Sequence, residues 1–364
     1  DLTISVANGP LTSPAYILFT YGSLSGSFDN VTGVPAGYVI DYAHDGGTAI
    51  ASGGNLVATG NRFSFQDYTI TLAPIDIDVS RMHQARQVSH EPILAEDKRT
   101  AVRLLPGILD RNNDKPCVAT QRDRVLTKEE EFARAEAIGL FDYLRKSWSK
   151  GFVVSLSGGA DSGAITCLVK LMVDLAVDEL GKKKFKERLG YIDFEGKGLV
   201  ETLLTCVYQA TRNSGEVTST AAEKIAEAVG ARFQNWDIDP LVEGYRETVE
   251  KGIGRKLTWE KDDLTLQNIQ ARVRAPGIWM LANLENALLL ATSNRSEAAV
   301  GYATMDGDTC GGLSPIAGID KDFLRRWLRW VETEGPRSLP PVAALRVVNE
   351  QQPTAELRPH AEKQ

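Results

Sequence analysis

A glycine-rich segment constrains this chain more than any other stretch: Ser-Leu-Ser-Gly-Gly-Ala-Asp-Ser at residues 155–162. The apolar run Gly-Phe-Val-Val at 151–154 precedes it and predicts a buried strand. Residues 163–176 follow it with apolar side chains at helical spacing. A strand, a tight turn and a helix in this order direct turn amides and a helix N-terminus toward one point, where an anion can bind.

The side chains of the turn indicate which anion. Gly158 and Gly159 let the backbone approach a ligand closely, and Ser157 and Ser162 add hydroxyl donors. Asp161 would be repelled by a bound phosphate unless a cation lay between them, so we predict that it is a Mg²⁺ ligand. No Gly-Lys-Ser or Gly-Lys-Thr occurs in the chain, which excludes the common phosphate loop. The alternative, a turn that binds nothing, does not account for the serines and the aspartate in register.

Further apolar runs predict strands at 203–208, 231–236 and 287–291, with helical segments between them. This alternation predicts an α/β fold with a doubly wound parallel sheet. In such a sheet ligands bind beyond the carboxyl ends of the strands. The turns that follow the strands are therefore expected to converge on one crevice.

A second carboxylate, Glu297, lies just after the last predicted strand, in Thr-Ser-Asn-Arg-Ser-Glu at 292–297. Asp161 and Glu297 come from two strand ends, so they could share one Mg²⁺ with the oxygens of a bound phosphate group. The alternative interpretation makes Glu297 a first-turn helix residue that only favours the helix dipole.

Three further features lie near Glu297 in the sequence. Arg272 and Arg274 are two residues apart on a predicted helix, so they point to different faces and one of them can reach the site. Pro276 is expected to kink or restart that helix. The Gly- and Asp-rich segment 301–312 is too polar for a core and is interpreted as a substrate loop.

Composition limits the partners and the setting. The net charge is −7, with no basic tail or run that indicates a nucleic-acid groove. No signal peptide or apolar run long enough to span a membrane is evident. The four cysteines are widely spaced without a Cys-x-x-Cys pair, which favours a reduced, cytoplasmic setting.

The chain is divided into four parts. Residues 1–45 lack Lys and Arg and alternate in a β pattern of uncertain origin, and residues 46–80 read as a hairpin and another strand. Residues 81–126 are polar and read as a linker. The main domain, 127–364, begins with a helix at Thr127, where Glu130 completes the pattern of a capping box.

The segment 157–162 resembles the PP-loop of ATP pyrophosphatases, which cleave ATP between its α and β phosphates. With Gln-Asn-Ile-Gln-Ala-Arg at 267–272, Leu-Leu-Leu-Ala-Thr-Ser-Asn-Arg-Ser-Glu at 288–297 and Pro-Thr-Ala-Glu-Leu at 353–357, the chain resembles NAD⁺ synthetases. Residues 46–80 resemble the last strands of a nitrilase-type amidase domain, which points to the glutamine-dependent branch. The resemblance implies a PP-loop α/β domain that amidates deamido-NAD⁺ to NAD⁺ through an adenylylated intermediate.

The resemblance also implies roles for individual residues. The loop residues Ser157, Gly158, Gly159 and Ser162 would hold ATP phosphates. Asp161 and Glu297 match metal ligands and are the candidate catalytic residues. The remaining matches are ATP contacts at Thr292, Lys321 and Thr354 and a deamido-NAD⁺ contact at Arg272.

The same resemblance also implies binding partners, and it leaves two alternative functions open. The family implies ATP, Mg²⁺, deamido-NAD⁺ and ammonia, with glutamine as the donor in full-length members, and a homodimer. Compared with the family, both ends of this chain look truncated, and the glutaminase region is nearly absent. We therefore expect the chain to use ammonia and not glutamine. Two alternatives stay open: another PP-loop adenylylating amidotransferase, and an inactive fragment or chimera.

Overall fold

The computed structural model describes residues 126–351, 357 and 358, and before them 49–52, 55–60, 62–67, 82, 85 and 86. The chain divides into two compact units, Asp1–Leu126 and Thr127–Gln364. In the first unit β1 (Ala49–Ser52) pairs antiparallel with β2 (Asn55–Thr59), which confirms the hairpin predicted within 46–80. The strands predicted within 1–45 and at 68–78, and most of the linker, lie outside the described residues.

The second unit alternates helices and strands. Its elements are α1 (Lys128–Ser147), β3 (Phe152–Ser155), α2 (Ala160–Arg188), α3 (Leu199–Leu203), β4 (Leu204–Ala210), α4 (Glu216–Val229), β5 (Arg232–Asp237), α5 (Asp239–Ile253), α6 (Trp259–Glu285), β6 (Leu288–Leu290), α7 (Arg295–Val300), α8 (Lys321–Thr333), a 3₁₀ turn (Ala343–Leu345) and α9 (Arg346–Asn349).

Within the described residues of this unit, four strands form one parallel sheet in the order β5–β4–β3–β6. On one face Val153, Val207 and Leu289 pack against Ile278 and Ala282 of α6. On the other face the Thr166 hydroxyl of α2 lies 3.8 Å from the Cys206 sulfur of β4. Burial on both faces explains why the inner strands β3 and β4 are mostly apolar, whereas the edge strand β5 is largely polar and none of its residues is fully buried. The predicted doubly wound α/β fold is confirmed.

Helix α6 departs from the expectation at Pro276. The helix runs without interruption through Pro276 to Glu285, and the residue with non-helical backbone angles is Asp262 in its first turn. A proline removes one amide donor and crowds the preceding turn. The packing of Ile278 and Ala282 on the sheet holds the helix together across that position. The prediction of a restart at Pro276 is therefore wrong.

Helix α1 forms only half of the predicted capping box. The Thr127 hydroxyl accepts from the backbone N–H of Glu130 at 3.2 Å. The Glu130 carboxylate does not reach back to the cap, because it accepts two bonds from Arg134 at 2.9 and 2.7 Å. The cap therefore satisfies one backbone donor at the helix start.

Helix α8 closes the unit against α1 through Trp327. Its ring is fully buried and meets Phe132 edge-on, with ring centroids 5.3 Å apart. Its indole N–H donates to the Glu129 carbonyl at 3.2 Å. Trp327 therefore lies in the core of this unit. No helix in the described part of the chain is both long and apolar enough to cross a bilayer.

We expect Trp327→Ala to lower the free energy of unfolding by about 3–5 kcal/mol, because it removes the largest fully buried side chain among the described residues and a ring contact. Trp148→Ala is the matched control, since Trp148 is 68% exposed, and should cost less than about 1 kcal/mol. Urea unfolding followed by circular dichroism measures both. Equal losses in the two variants would contradict the core assignment of Trp327.

Candidate active site

The segment between β3 and α2 forms a tight loop at the carboxyl edge of the sheet. The Leu156 amide still donates to the Val207 carbonyl at 2.9 Å, which extends the pairing of β3 with β4 by one residue. Gly158 then adopts φ 77°, and α2 begins at Ala160 after the extended residue Gly159. The first backbone N–H groups of α2 therefore lie near the carboxyl end of β3, as the sequence predicts for an anion site.

Ser162 shapes this loop from inside. Its side chain is only 2% exposed. Its hydroxyl accepts from the Ser157 amide at 3.1 Å, lies 3.0 Å from the Ser157 hydroxyl and donates to the Gly159 carbonyl at 3.3 Å. The sequence predicts Ser162 as a donor to the ligand, and in the structure its hydroxyl bonds within the loop. Ser157 is exposed at the same turn.

Gly158 is required for two separate reasons. Its φ of 77° lies in the left-handed region, which side chains with a Cβ rarely adopt. A Cβ built on it would also lie 2.2 Å from the Thr218 carbonyl oxygen of α4. The loop backbone therefore approaches α4 so closely that no side chain fits between them.

Asp161 and Glu297 come together as predicted, and Lys321 lies between them. The Lys321 ammonium pairs with Oδ2 of Asp161 and lies 3.6 Å from Oε1 of Glu297. Lys321 begins α8, and its amide donates to the Ser296 hydroxyl of α7 at 3.0 Å. Three elements that are distant in sequence, α2, α7 and α8, thus supply one cluster of alternating charge.

Burial and then the neighbouring Asp161 carboxylate raise the pKa of Glu297, while Lys321 opposes that shift. Two carboxylates at close range repel each other, so a cation near both stabilises the pair. Lys321 supplies that positive charge within the chain.

Asn294 is the residue of this cluster that sequence reasoning did not single out. Its side chain is fully buried, and its Nδ2 donates to Oδ1 of Asp161 at 2.9 Å. It also caps α7, because its Oδ1 accepts from the Glu297 amide at 3.0 Å. The available signal was an asparagine three residues before a glutamate at a predicted helix start, a capping pattern.

The carboxylates fit a magnesium ion that is shared with a phosphate ligand. Mg²⁺ in nucleotide sites takes one or two carboxylates and fills its other positions with phosphate oxygens and water. Asp161 and Glu297 supply two carboxylates directed at one point, beside the amides of the loop. No cluster of three acidic, histidine or cysteine side chains suited to a metal occurs among the described residues, so an all-protein metal cage is not what this arrangement offers.

The two remaining residues that the sequence predicts as ATP contacts are Thr292 and Thr354. Thr292 is half-buried after β6, and its amide donates to the Asp308 carbonyl at 3.2 Å. This contact ties the strand end to the predicted substrate loop, 301–312, which rejoins the sheet edge where Leu313 bridges Leu290. Thr354 lies outside the described residues.

Arg272 is exposed on α6 and faces the predicted substrate loop. Its Nε donates to the Met305 carbonyl at 3.1 Å. Arg274, two residues on, is half-buried. A cleft of about 330 Å³ lies between α6 and this loop, lined in part by Pro276 and Asp306. The structure thus places Arg272 on the helix face that the loop covers.

The three described cysteines make no hydrogen bond with Asp161 or Glu297. Cys167 and Cys206 are completely buried, and burial raises the pKa of each thiol to about 12. Burial also raises the pKa of Cys310, which belongs to the loop 301–312 and lines the cleft. All three are free thiols. Thiols with a raised pKa are poor nucleophiles.

Comparison with known proteins gives one consistent family. The profile described as NAD synthase matches residues 133–364. A glutamine-dependent NAD(+) synthetase of Oryza sativa subsp. indica is 32% identical over 342 residues, which are 87% of this chain and 46% of that protein. The Homo sapiens protein of the same name is 27% identical over 79% of this chain and 44% of its own length. The chain thus spans about half the length of the curated relatives it matches.

Solved structures agree with this result. The crystal structure of a glutamine-dependent NAD(+) synthetase from Cytophaga hutchinsonii superposes with a TM-score of 0.65 at 42% identity, covering 87% of this chain and 47% of that one. A synthetase of the same kind from Acinetobacter baumannii shares the fold with a TM-score of 0.50 at 23% identity, covering 66% of this chain and 39% of its own.

We expect Gly158→Ala to lower the free energy of unfolding by more than about 1 kcal/mol and to abolish the ATP binding that the sequence predicts for this loop. The new Cβ meets the Thr218 carbonyl and forces an unfavourable backbone angle. Gly159→Ala is the matched control, because its Cβ would lie 3.3 Å from the Ser157 hydroxyl at an ordinary backbone angle. Titration calorimetry with ATP and urea unfolding measure both variants, and wild-type behaviour of Gly158→Ala would disprove the steric argument.

Proposed function

This chain belongs to the NAD synthase family, and on that basis we propose that it amidates deamido-NAD⁺ to NAD⁺ at the expense of ATP. The observation that supports this proposal best is the meeting of Asp161, Glu297 and Lys321 beside the glycine loop. Two carboxylates, an ammonium and a set of backbone amides are the groups that bind a metal–nucleotide complex.

The proposed reaction has two steps. An oxygen of the nicotinate carboxylate attacks the α phosphorus of ATP, and the bond to pyrophosphate breaks. Ammonia then attacks the acyl carbon of the adenylylated intermediate and releases a proton, and the bond to the AMP oxygen breaks. The products are NAD⁺, AMP and pyrophosphate.

The chain's own groups act mainly through charge and position. The loop amides and Lys321 bind phosphate oxygens, whose negative charge increases as pyrophosphate leaves. Asp161 and Glu297 would hold Mg²⁺, which neutralises phosphate charge when it is bound. Arg272 would orient the dinucleotide from α6. Holding the two reacting groups in contact supplies much of the rate enhancement.

Ammonia is the nitrogen nucleophile in this proposal. A glutaminase of the nitrilase type needs an activated cysteine with a glutamate base and a lysine. Cys167 and Cys206 are buried with raised pKa values, and Cys310, a residue of the predicted substrate loop that lines the cleft, also has a raised pKa. Cys117 lies outside the described residues. The free thiols are consistent with the cytoplasmic setting that remains part of the proposal.

The proposal includes a homodimer, as the family resemblance implies. Helix α5 exposes four apolar side chains at intervals of four residues, which places them on one helix face: Leu241, Tyr245, Val249 and Ile253. An exposed apolar stripe of this kind supports association. Light scattering coupled to size exclusion determines the state, and a monomer at all concentrations would remove this part of the proposal.

Mass-spectrometric detection of NAD⁺ and AMP from deamido-NAD⁺, ATP·Mg²⁺ and ammonium tests the proposed function. The same assay with glutamine in place of ammonium tests the nitrogen donor. Product with deamido-NAD⁺ supports the synthetase. ATP binding without product would favour the inactive-fragment alternative, and AMP release with a different acceptor would favour another PP-loop amidotransferase.

We expect Asp161→Asn to lower kcat by at least about 100-fold, because losing a metal carboxylate removes several kcal/mol of charge stabilisation. Asp174→Asn is the matched control on the same helix. Asp174 pairs with Lys170 at 2.6 Å, and its loss should leave kcat unchanged. Steady-state assays at saturating Mg²⁺ decide, and a near-normal rate for Asp161→Asn would refute the metal assignment.

We expect Arg272→Ala to raise the KM for deamido-NAD⁺ about 10-fold or more, because a charge-assisted hydrogen bond to an anion is lost. The KM for ATP should not change. Arg274→Ala is the control from the neighbouring helix face. If Arg274→Ala raises the KM for deamido-NAD⁺ and Arg272→Ala does not, the wrong helix face has been assigned.

A further inference from the structure

Asn294 connects the two carboxylates of the candidate site through both ends of its side-chain amide. The side chain is completely buried, at the N-terminus of α7. Its Oδ1 must face the Glu297 amide, which is a donor, and its Nδ2 must face the Asp161 carboxylate, which is an acceptor. Only this orientation of the amide satisfies both neighbours.

The contacts of Asn294 divide the carboxylate oxygens into two sets. Oδ1 of Asp161 accepts from the Asn294 side chain at 2.9 Å, and Oε2 of Glu297 accepts from the Asn294 backbone N–H at 3.4 Å. The other oxygens, Oδ2 of Asp161 and Oε1 of Glu297, both face the Lys321 ammonium. Each carboxylate is therefore held at one oxygen and presents the other to a cation.

We propose that Asn294 is a positioning residue, which aims one oxygen of Asp161 and one of Glu297 at the metal that accompanies ATP. The inference rests on the proposed function, because that function supplies the metal–nucleotide ligand. Groups that hydrogen-bond to metal-binding side chains fix their orientation, and their loss reduces metal affinity.

The residue type supports a role beyond helix capping. Serine, threonine, aspartate and asparagine all cap a helix, because each offers an oxygen to the first amides. Asparagine among them combines that acceptor with an amide donor. An aspartate at 294 would keep the cap but place a third negative charge against Asp161, and a serine is too short to reach across to it. The cap alone therefore does not require asparagine, whereas the bond to Asp161 does.

The test measures metal binding directly. The protein is titrated into a fixed concentration of Mn²⁺–ATP, and the relaxation rate of water protons, which changes when the complex binds to protein, distinguishes protein-bound Mn²⁺ from Mn²⁺–ATP in solution. Asn294→Ser keeps an oxygen for the cap and removes the donor to Asp161, and Asn294→Thr repeats the comparison with a side chain that fills more of the space. We expect each variant to bind Mn²⁺ about 10–100-fold more weakly than the wild type. Calorimetric ATP affinity without metal should not change.

Thr127→Ala is the matched control for the loss of a helix cap. It removes an N-cap hydrogen bond on α1. It should lower the melting temperature while leaving the Mn²⁺ affinity as in the wild type. A merely structural Asn294 would behave in the same way, so wild-type Mn²⁺ affinity in a folded Ser or Thr variant overturns the positioning role. A wild type that binds no Mn²⁺–ATP at all overturns the proposed function itself.

Discussion

The pairing of β3 with β4 on one side and with β6 on the other determines where the functional residues lie. Both pairs are parallel and in register from Phe152 onward, so the strands end at the same edge. The loop after β3 and the turn after β6 therefore meet, although Asp161 and Asn294 are 133 residues apart in the chain. Apolar side chains buried on both faces hold this pairing, so the stability of the sheet core and the geometry of the site have one origin.

The site depends next on a balance of charge. Asp161 and Glu297 repel each other, and the raised pKa of Glu297 records both its burial and that repulsion. The Lys321 ammonium offsets the two negative charges. The backbone of Lys321 is held in place because it forms the first residue of α8 and its N–H donates to the Ser296 hydroxyl. A divalent cation would be drawn to the same two oxygens. Lys321 would then be available to the phosphate groups, which carry the charge that the cation leaves uncompensated.

Sequence reasoning succeeded where local pattern and chemistry coincide. The strand–loop–helix at 155–162, the parallel sheet, the approach of Asp161 to Glu297 and the family all followed from motifs, and the structure and comparisons confirm them. The errors share one physical cause, which is that tertiary packing overrides local signals. Pro276 does not restart α6, because the helix is held on the sheet. The Glu130 carboxylate binds Arg134 instead of the cap.

Sequence alone could not show which hydroxyls and amides are turned inward. Ser157 and Ser162 read alike in the motif, yet Ser162 is buried and bonded to the loop backbone, whereas Ser157 is exposed. Asn294 reads as an ordinary helix cap, and its second bond to Asp161 exists only because β3 and β6 are neighbours. Both residues hold other groups in place. Since a preorganised site does not have to reorient its dipoles during the reaction, residues of this kind affect the rate through the groups that they hold. A search of this fold for functional residues should therefore include the buried polar side chains at the carboxyl edge of the sheet.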